Sequence, residues 1–135
     1  MTIKHTSHAR YDLWYHIVFS TKYRKRVWLD EPVKVHIKQM FRDIASHYDL
    51  TIGTMEVMSD HVHFTLSAPP RLAPARAVQI LKSVSTKLLF QNYPWLRNEY
   101  WGGQIWIAGY FIRSIGDGIT LVMINKYIAE QVEEI

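Results

Sequence analysis

The chain has 135 residues and no cysteine, which fits a single domain, residues 1–135, and excludes disulfides, thiol chemistry and a cysteine-held zinc. Hydrophobic residues make up 48% and aromatics 13%, enough for a core. No apolar run approaches the about 20 residues of a membrane helix, and "MTIKHTSHARYD" lacks the apolar stretch of a signal peptide, so a cytoplasmic protein is expected.

The charge is moderately basic: 16 Lys and Arg against 12 Asp and Glu give +4 and a pI of about 9.4. That permits a nucleic-acid partner without requiring one. In chain order, "DLWYHIVFS" (12–20) is short and rich in aromatic and β-branched residues, a strand. The basic tract "TKYRKRVW" follows it. Asp30 is placed to cap a helix whose first turn takes Glu31 and Pro32, and Val33, Ile37, Met40, Phe41 and Ile44 recur at helical spacing to about Tyr48. "LTIGTMEVM" (50–58) and "HVHFTLSA" (61–68) read as a hairpin across the Ser59–Asp60 turn. After Pro69, Pro70 and Pro74, a second helix runs from about Ala75 to Asn92, with Val78, Leu81, Val84, Leu88 and Leu89 as its apolar stripe. "QIWIAGYFIRS" (104–114) reads as a fourth strand, apolar on both faces, the pattern of a subunit interface or of an ordinary central strand. A turn with Gly116, Asp117 and Gly118 leads to a last helix, "TLVMINKYIAEQVEEI".

The order β-α-β-β-α-β is that of an α+β, ferredoxin-like fold, the layout of RNA-recognition domains, with an additional C-terminal helix. In that layout the first and third strands are central neighbours, and the helices cover one face of the sheet and leave the other open.

The third strand carries the chemistry. Val62, Phe64, Leu66 and Ala68 share one face; His61, His63, Thr65 and Ser67 share the other. The apolar side must meet the helices, so the histidines are expected on the open face. Residues i and i+2 of a strand lie roughly 6.5 to 7 Å apart, a spacing at which two imidazoles can converge on one divalent ion. Two histidines alone are too few for a metal site. On the last helix Tyr127 and Gln131 are i and i+4, on one face beside the stripe Leu121, Ile124, Ile128, Val132 and Ile135. A helix that brings a tyrosine hydroxyl and an amide oxygen to a His-x-His pair builds a metal site with a nucleophile one turn away. Imidazole and amide ligands suit Mn²⁺, with Mg²⁺ the alternative. Attack by the tyrosine on a phosphodiester makes a 5′-phosphotyrosine and frees a 3′-OH, so the strand can be rejoined without ATP.

The segments "YHIVFSTKYRKRVW", "MEVMSDHVHFTLSAPP", "KSVSTKLLFQNYPWL", "WIAGYFIRSIGDG" and "INKYIAEQ" span nearly the whole chain. Together they resemble the TnpA-type single-tyrosine HUH transposases of the smallest bacterial and archaeal insertion sequences. The resemblance implies that His61 and His63 are metal ligands, Gln131 the third ligand and Tyr127 the nucleophile. It implies an obligate homodimer, with the tyrosine helix completing the partner's site, acting on single-stranded DNA with hairpin ends and using no small-molecule cofactor. Two departures from the family pattern are Ser59, often proline, and Ala129-Glu130, commonly a more polar pair.

Candidate DNA contacts are Arg10, the tract Lys22, Arg24, Lys25 and Arg26 interleaved with Tyr23 and Trp28, and Lys82 and Lys87 on the second helix. His16, on the strand beside the histidine pair, is either a supporting group of the site or a packed histidine at the sheet centre. Gly116 and Gly118 bracket a candidate hinge for the tyrosine helix. Two other activities fit the same pattern: a non-catalytic nucleic-acid-binding domain of this fold, and a metal-dependent phosphoesterase that uses water.

Overall fold

The computed structural model describes residues 3–116 and Lys126. Within it, alternation does the organising. Trp14–Ser20 (β3), Thr51–Val57 (β4) and His61–Ser67 (β5) form strands, and Phe111–Ile115 (β6) completes a sheet of order β4-β5-β3-β6. All its pairings are antiparallel, and β3 and β5 are the central neighbours, as the split β-α-β order predicts. Ile17 opposite Phe64 and Phe19 opposite Val62 point into one core.

Two long helices close that core. Helix α1, Glu31–His47, buries Ile37, Met40, Phe41, Ile44 and Ala45, which is its apolar stripe. Asp30 occupies the N-cap position but makes no side-chain cap bond. Asp49 takes a left-handed conformation (φ 58°), which turns the chain from α1 into β4. Helix α2, Pro74–Asn92, begins on its proline, whose missing N–H is not needed in a first turn. It buries Val78, Leu81 and Leu89, while Val84 and Leu88 are half-buried against the core. Where β5 faces the helices, Phe19, Phe41, Phe64 and Trp106 interlock, with ring centroids 5.0 to 6.2 Å apart. Among the described residues no helix is long and apolar enough to cross a membrane.

The fourth strand differs from its expectation in two ways. It is shorter than its sequence implies, Phe111–Ile115 and not 104–114. Residues 104–110 instead run as an irregular segment that drops Ile105 and Trp106 into the core. Trp106 Nε1 donates to Ser85 Oγ at 2.9 Å, and Lys82 Nζ donates to the carbonyls of Ile107, Ala108 and Gly109 at 2.7, 3.2 and 2.8 Å. Carbonyls drawn to an ammonium are not available to a neighbouring strand. The same segment is not apolar-buried on both sides: Ile107, Tyr110 and Phe111 are exposed.

The N-terminus adds a small ribbon of Lys4–His5 (β1) and Arg10–Tyr11 (β2), its turn held by Thr6 Oγ1 accepting from the Ala9 N–H at 3.1 Å. A short helix α3, Leu96–Glu99, follows α2. The last helix, with Asp117 and Gly118 before it and Tyr127 and Gln131 on it, lies outside the described residues, apart from Lys126.

Candidate active site

Strand β5 presents His61 and His63 on the face away from α1 and α2, with Val18 and Ser20 of β3 as cross-strand neighbours. The face is not open, as the layout implied. Every residue of β5 is buried, His61 to 1% and His63 to 0% exposure. Part of the reason is lateral: β5 is a central strand, and on the adjacent β3 the large side chains of Trp14 and His16, themselves buried, occupy the same face. The His16 ring stands 6.3 Å from that of His63 and 5.9 Å from that of Phe111.

The two candidate ligands are 5.6 Å apart between ring centroids, tilted by 45°. Their nitrogens are the unusual feature. His61 Nδ1 lies 2.8 Å from Asp60 Oδ1, but His61 Nε2 and both nitrogens of His63 are buried with no hydrogen-bond partner among the described residues. Buried polar atoms in native proteins are nearly always paired, so a group of imidazole nitrogens on one face with no protein partner among the described residues fits a divalent cation as their common partner. Burial, reinforced by neighbouring His61 and His16, pushes His63 down to about 4, so it is a neutral imidazole with a lone pair at physiological pH. Burial, with the Arg113 charge, lowers His16 as well. No group of three or more His, Cys, Asp or Glu able to hold a metal occurs among the described residues. The two histidines therefore fit a divalent ion but do not complete its shell, and Gln131, the residue expected to do so, lies outside the described residues, as does Tyr127.

Sequence reasoning misses one supporting residue. Asp60 reads there as part of a tight turn. In the structure its carboxylate takes the His61 Nδ1–H, which leaves Nε2 as the nitrogen with the lone pair. The other carboxylate oxygen pairs with Arg24 Nη2 at 3.2 Å. Burial of Asp60 alone would raise its pKa, but the hydrogen bond from His61 and the Arg24 charge outweigh it, and the carboxyl stays below its usual range. The available signal is an acidic residue immediately before the first histidine of a His-x-His strand.

The candidate DNA contacts divide. Arg10, Arg26 and Lys87 are exposed, and Lys22 is half-buried with its ammonium 5.4 Å from the Tyr23 ring. Arg24 is exposed too but pairs with Asp60. Lys25 pairs with Glu99 at 3.2 Å and also donates to its carbonyl at 2.9 Å. Lys82 is spent on the 107–109 carbonyls, and burial lowers its pKa. Trp28, offered as a base-stacking residue, is fully buried in the core and cannot serve.

Comparison with known proteins points in one direction. Residues 9–131 match the family described as "Transposase IS200 like". The ISDra2 transposase TnpA of Deinococcus radiodurans is 41% identical over 121 residues, covering 90% of this chain and 85% of that protein. The transposase for insertion sequence element IS200 of Salmonella typhimurium is 28% identical over 131 residues, covering 97% and 84%. Among solved structures, a Deinococcus radiodurans R1 protein assigned as a transposase superposes with a TM-score of 0.75 at 35% identity, covering 96% of this chain and 98% of that one. A REP-associated tyrosine transposase bound to a REP hairpin, at 12% identity and TM-score 0.57 over 95% and 68% of the chains, shares the fold.

Proposed function

The chain belongs to the IS200-like transposases, a family of DNA-processing enzymes, and we propose that it cleaves and rejoins single-stranded DNA at insertion-sequence ends through Tyr127, with a divalent metal held by His61, His63 and Gln131. The observation that carries the site is the buried histidine pair, with its unpartnered nitrogens and the Asp60 carboxylate behind His61.

Each residue then has a task. Asp60 keeps the Nδ1 proton on His61, so that Nε2 carries the lone pair with which His61 would hold a divalent ion. The environment of His63 keeps that ring neutral and able to ligate. Bound there, Mg²⁺ or Mn²⁺ would supply Lewis-acid stabilisation of charge on the scissile phosphate. The Tyr127 oxygen attacks phosphorus. The P–O3′ bond breaks, the 3′-oxygen leaves and takes a proton, and the 5′ end stays on the tyrosine. Attack by another 3′-OH reverses the step and releases Tyr127. As in the family it resembles, the protein acts as a homodimer, with DNA hairpins as the recognised ends. The relative solved with a REP hairpin supports that partner class.

The test is denaturing electrophoresis after incubation with labelled single-stranded DNA from the ends of the chain's own element and Mn²⁺. Wild type is expected to give a metal-dependent protein–DNA adduct, and Tyr127→Phe and His63→Ala none. Cleavage without an adduct would replace this reading with a hydrolytic phosphoesterase. Binding without cleavage would leave a nucleic-acid-binding domain. A mixture of His61→Ala and Tyr127→Phe proteins, each inactive, should regain nicking if the site is shared between subunits; no recovery after proven subunit exchange sinks the shared site.

A further inference from the structure

The tract after β3 is bent in a way that its composition does not require. Tyr23 has φ 63° and ψ 12°, and Arg24 has φ 51°. Two consecutive non-glycine residues in the left-handed region are strained, most of all a bulky tyrosine, and strain of this kind persists only where surrounding contacts enforce it. Here they do. Thr21 N–H donates to the Asp60 carbonyl at 2.8 Å and Trp28 N–H to the Ser59 carbonyl at 3.1 Å, which fastens both ends of the tract to the turn before His61.

The strain sends the two side chains opposite ways. Arg24 lies along the surface onto Asp60, while Tyr23 stands out, 73% exposed. The same tract is fastened to the segment after α3. Lys22 N–H donates to the Ile105 carbonyl at 2.6 Å, and Lys25 Nζ donates to the Glu99 carbonyl at 2.9 Å. Between those two ties the segment carries Trp101, the most exposed large apolar side chain described at 89%, followed by Gly102 and Gly103, whose Cα hydrogens face open space. The Lys22 ammonium lies 5.4 Å from the exposed Tyr23 ring, and Trp101 stands on the segment fastened to the same tract. Cations for phosphate and exposed ring faces for bases are the combination that binds single-stranded nucleic acid.

We propose that Tyr23 and Trp101 form a stacking platform for unpaired bases of single-stranded DNA, next to the metal-ligand end of β5. The proposal deepens the reading of the chain as a single-strand transposase and rests on it. Arg24 is the link: it ties the strained tract that carries Tyr23 to the carboxylate that orients His61, so that a strand stacked on the platform has its backbone beside the site.

Binding of a fluorescein-labelled oligothymidine strand, followed by anisotropy at two salt concentrations, tests it. Trp101→Ala should weaken binding roughly 5- to 150-fold, the range for losing one stacked base, with the salt slope unchanged. Trp101→Phe should keep most of the affinity. Lys22→Ala should do the reverse, lowering the salt slope by roughly 0.7. Trp14, Trp28 and Trp106 are buried and Trp95 is 45% exposed, so most of the quenching of intrinsic fluorescence by the strand should disappear in Trp101→Ala. At 89% exposure the substitution does not threaten the fold. Wild-type binding with undiminished affinity in Trp101→Ala overturns the platform. So does a Trp101→Ala protein that turns monomeric where wild type is dimeric while affinity per protomer is unchanged, which would make the patch a contact between copies. A wild type that binds no single strand under any condition overturns the transposase reading itself, and the platform with it.

Discussion

The two faces of β5 are equally buried and chemically opposite. Val62, Phe64 and Leu66 lie at 0% exposure against α1, α2 and the aromatic cluster, where removal from water is favourable and packing repays it. His61, His63 and Thr65 lie at 1%, 0% and 0% on the other side, where three imidazole nitrogens have no described partner. One face holds the sheet together. The other is a polar face kept buried at an energetic disadvantage, which the proposed metal site would explain. Burial alone does not separate a core from a site; the state of the polar atoms does.

The largest effect expected from breaking this contrast is a pair of substitutions one residue apart. Phe64→Ala should destabilise the protein by about 3–5 kcal/mol, because it opens a cavity among interlocked rings. Its remaining folded fraction should bind Mn²⁺ with unchanged affinity. His63→Leu should do the opposite: abolish Mn²⁺ binding and DNA cleavage, and leave the metal-free protein as stable as wild type or more stable by about 1 kcal/mol, since unsatisfied nitrogens are replaced by hydrocarbon of similar bulk. Urea denaturation and isothermal titration with Mn²⁺ read both. A His63→Leu protein destabilised as much as Phe64→Ala would show that the histidine face is ordinary core.

Protonation sharpens the contrast without changing a residue. His63 titrates near 4 in the fold and near the ordinary 6.5 when unfolded. A depressed folded value means that the unfolded chain binds the proton more readily. The stabilising contribution of the neutral ring is complete above about pH 6.5 and is lost as pH falls from there toward about 4. The loss should reach about 2 kcal/mol by pH 5 in metal-free protein, as an upper value, with the lowered His16 adding to it in the same sense. His63→Leu should flatten most of this dependence. Equal denaturation midpoint shifts for wild type and His63→Leu between pH 7.5 and 5 would remove His63 from the account.

How far the sequence carried this follows from what each residue depends on. The β4–β5 hairpin, both long helices and the central β3–β5 pairing rest on periodicity and turn chemistry, which are local, and all were legible. The segment 104–110 was not, because its path is set by Lys82, more than twenty residues earlier, drawing three carbonyls away from a ladder that the apolar pattern favours. The histidines could be assigned to the face away from the helices by counting alone. Their burial could not, because it depends on everything that packs over that face, of which Trp14 and His16 on the neighbouring strand are one part. The tract 22–26 reads as uniform positive charge; the structure divides it into Arg24 paired with Asp60, Lys25 paired with Glu99, a half-buried Lys22 over the Tyr23 ring and an exposed Arg26, a division that no composition announces.

Asp60 is where that tract meets the histidine face, and it gives the smallest and most specific test. Its carboxylate fixes the His61 tautomer, and outer groups of this kind are worth roughly 10- to 100-fold in metal affinity. Asp60→Ala should weaken Mn²⁺ binding by that factor and shift the ¹⁵N signals of His61 away from the Nδ1–H form. The backbone carbonyl that Thr21 uses is untouched, but the substitution leaves a buried His61 N–H without its acceptor, so the metal-free protein should lose about 1–3 kcal/mol of stability, read by urea denaturation. Asp60→Asn keeps an oxygen acceptor for the Nδ1–H and should retain most of the affinity. Arg24→Ala removes an ion pair whose arginine is 57% exposed, and such pairs contribute about 0–1 kcal/mol, so the Mn²⁺ affinity should fall by a factor of about 5 at most. The order of affinities, with Asp60→Ala weakest, Arg24→Ala next and Asp60→Asn near wild type, follows only if the carboxylate acts by holding a proton on one nitrogen. If Asp60→Asn is as damaging as Asp60→Ala, the negative charge itself matters more than the acceptor, and Arg24 should then prove antagonistic to metal binding, its removal tightening the site.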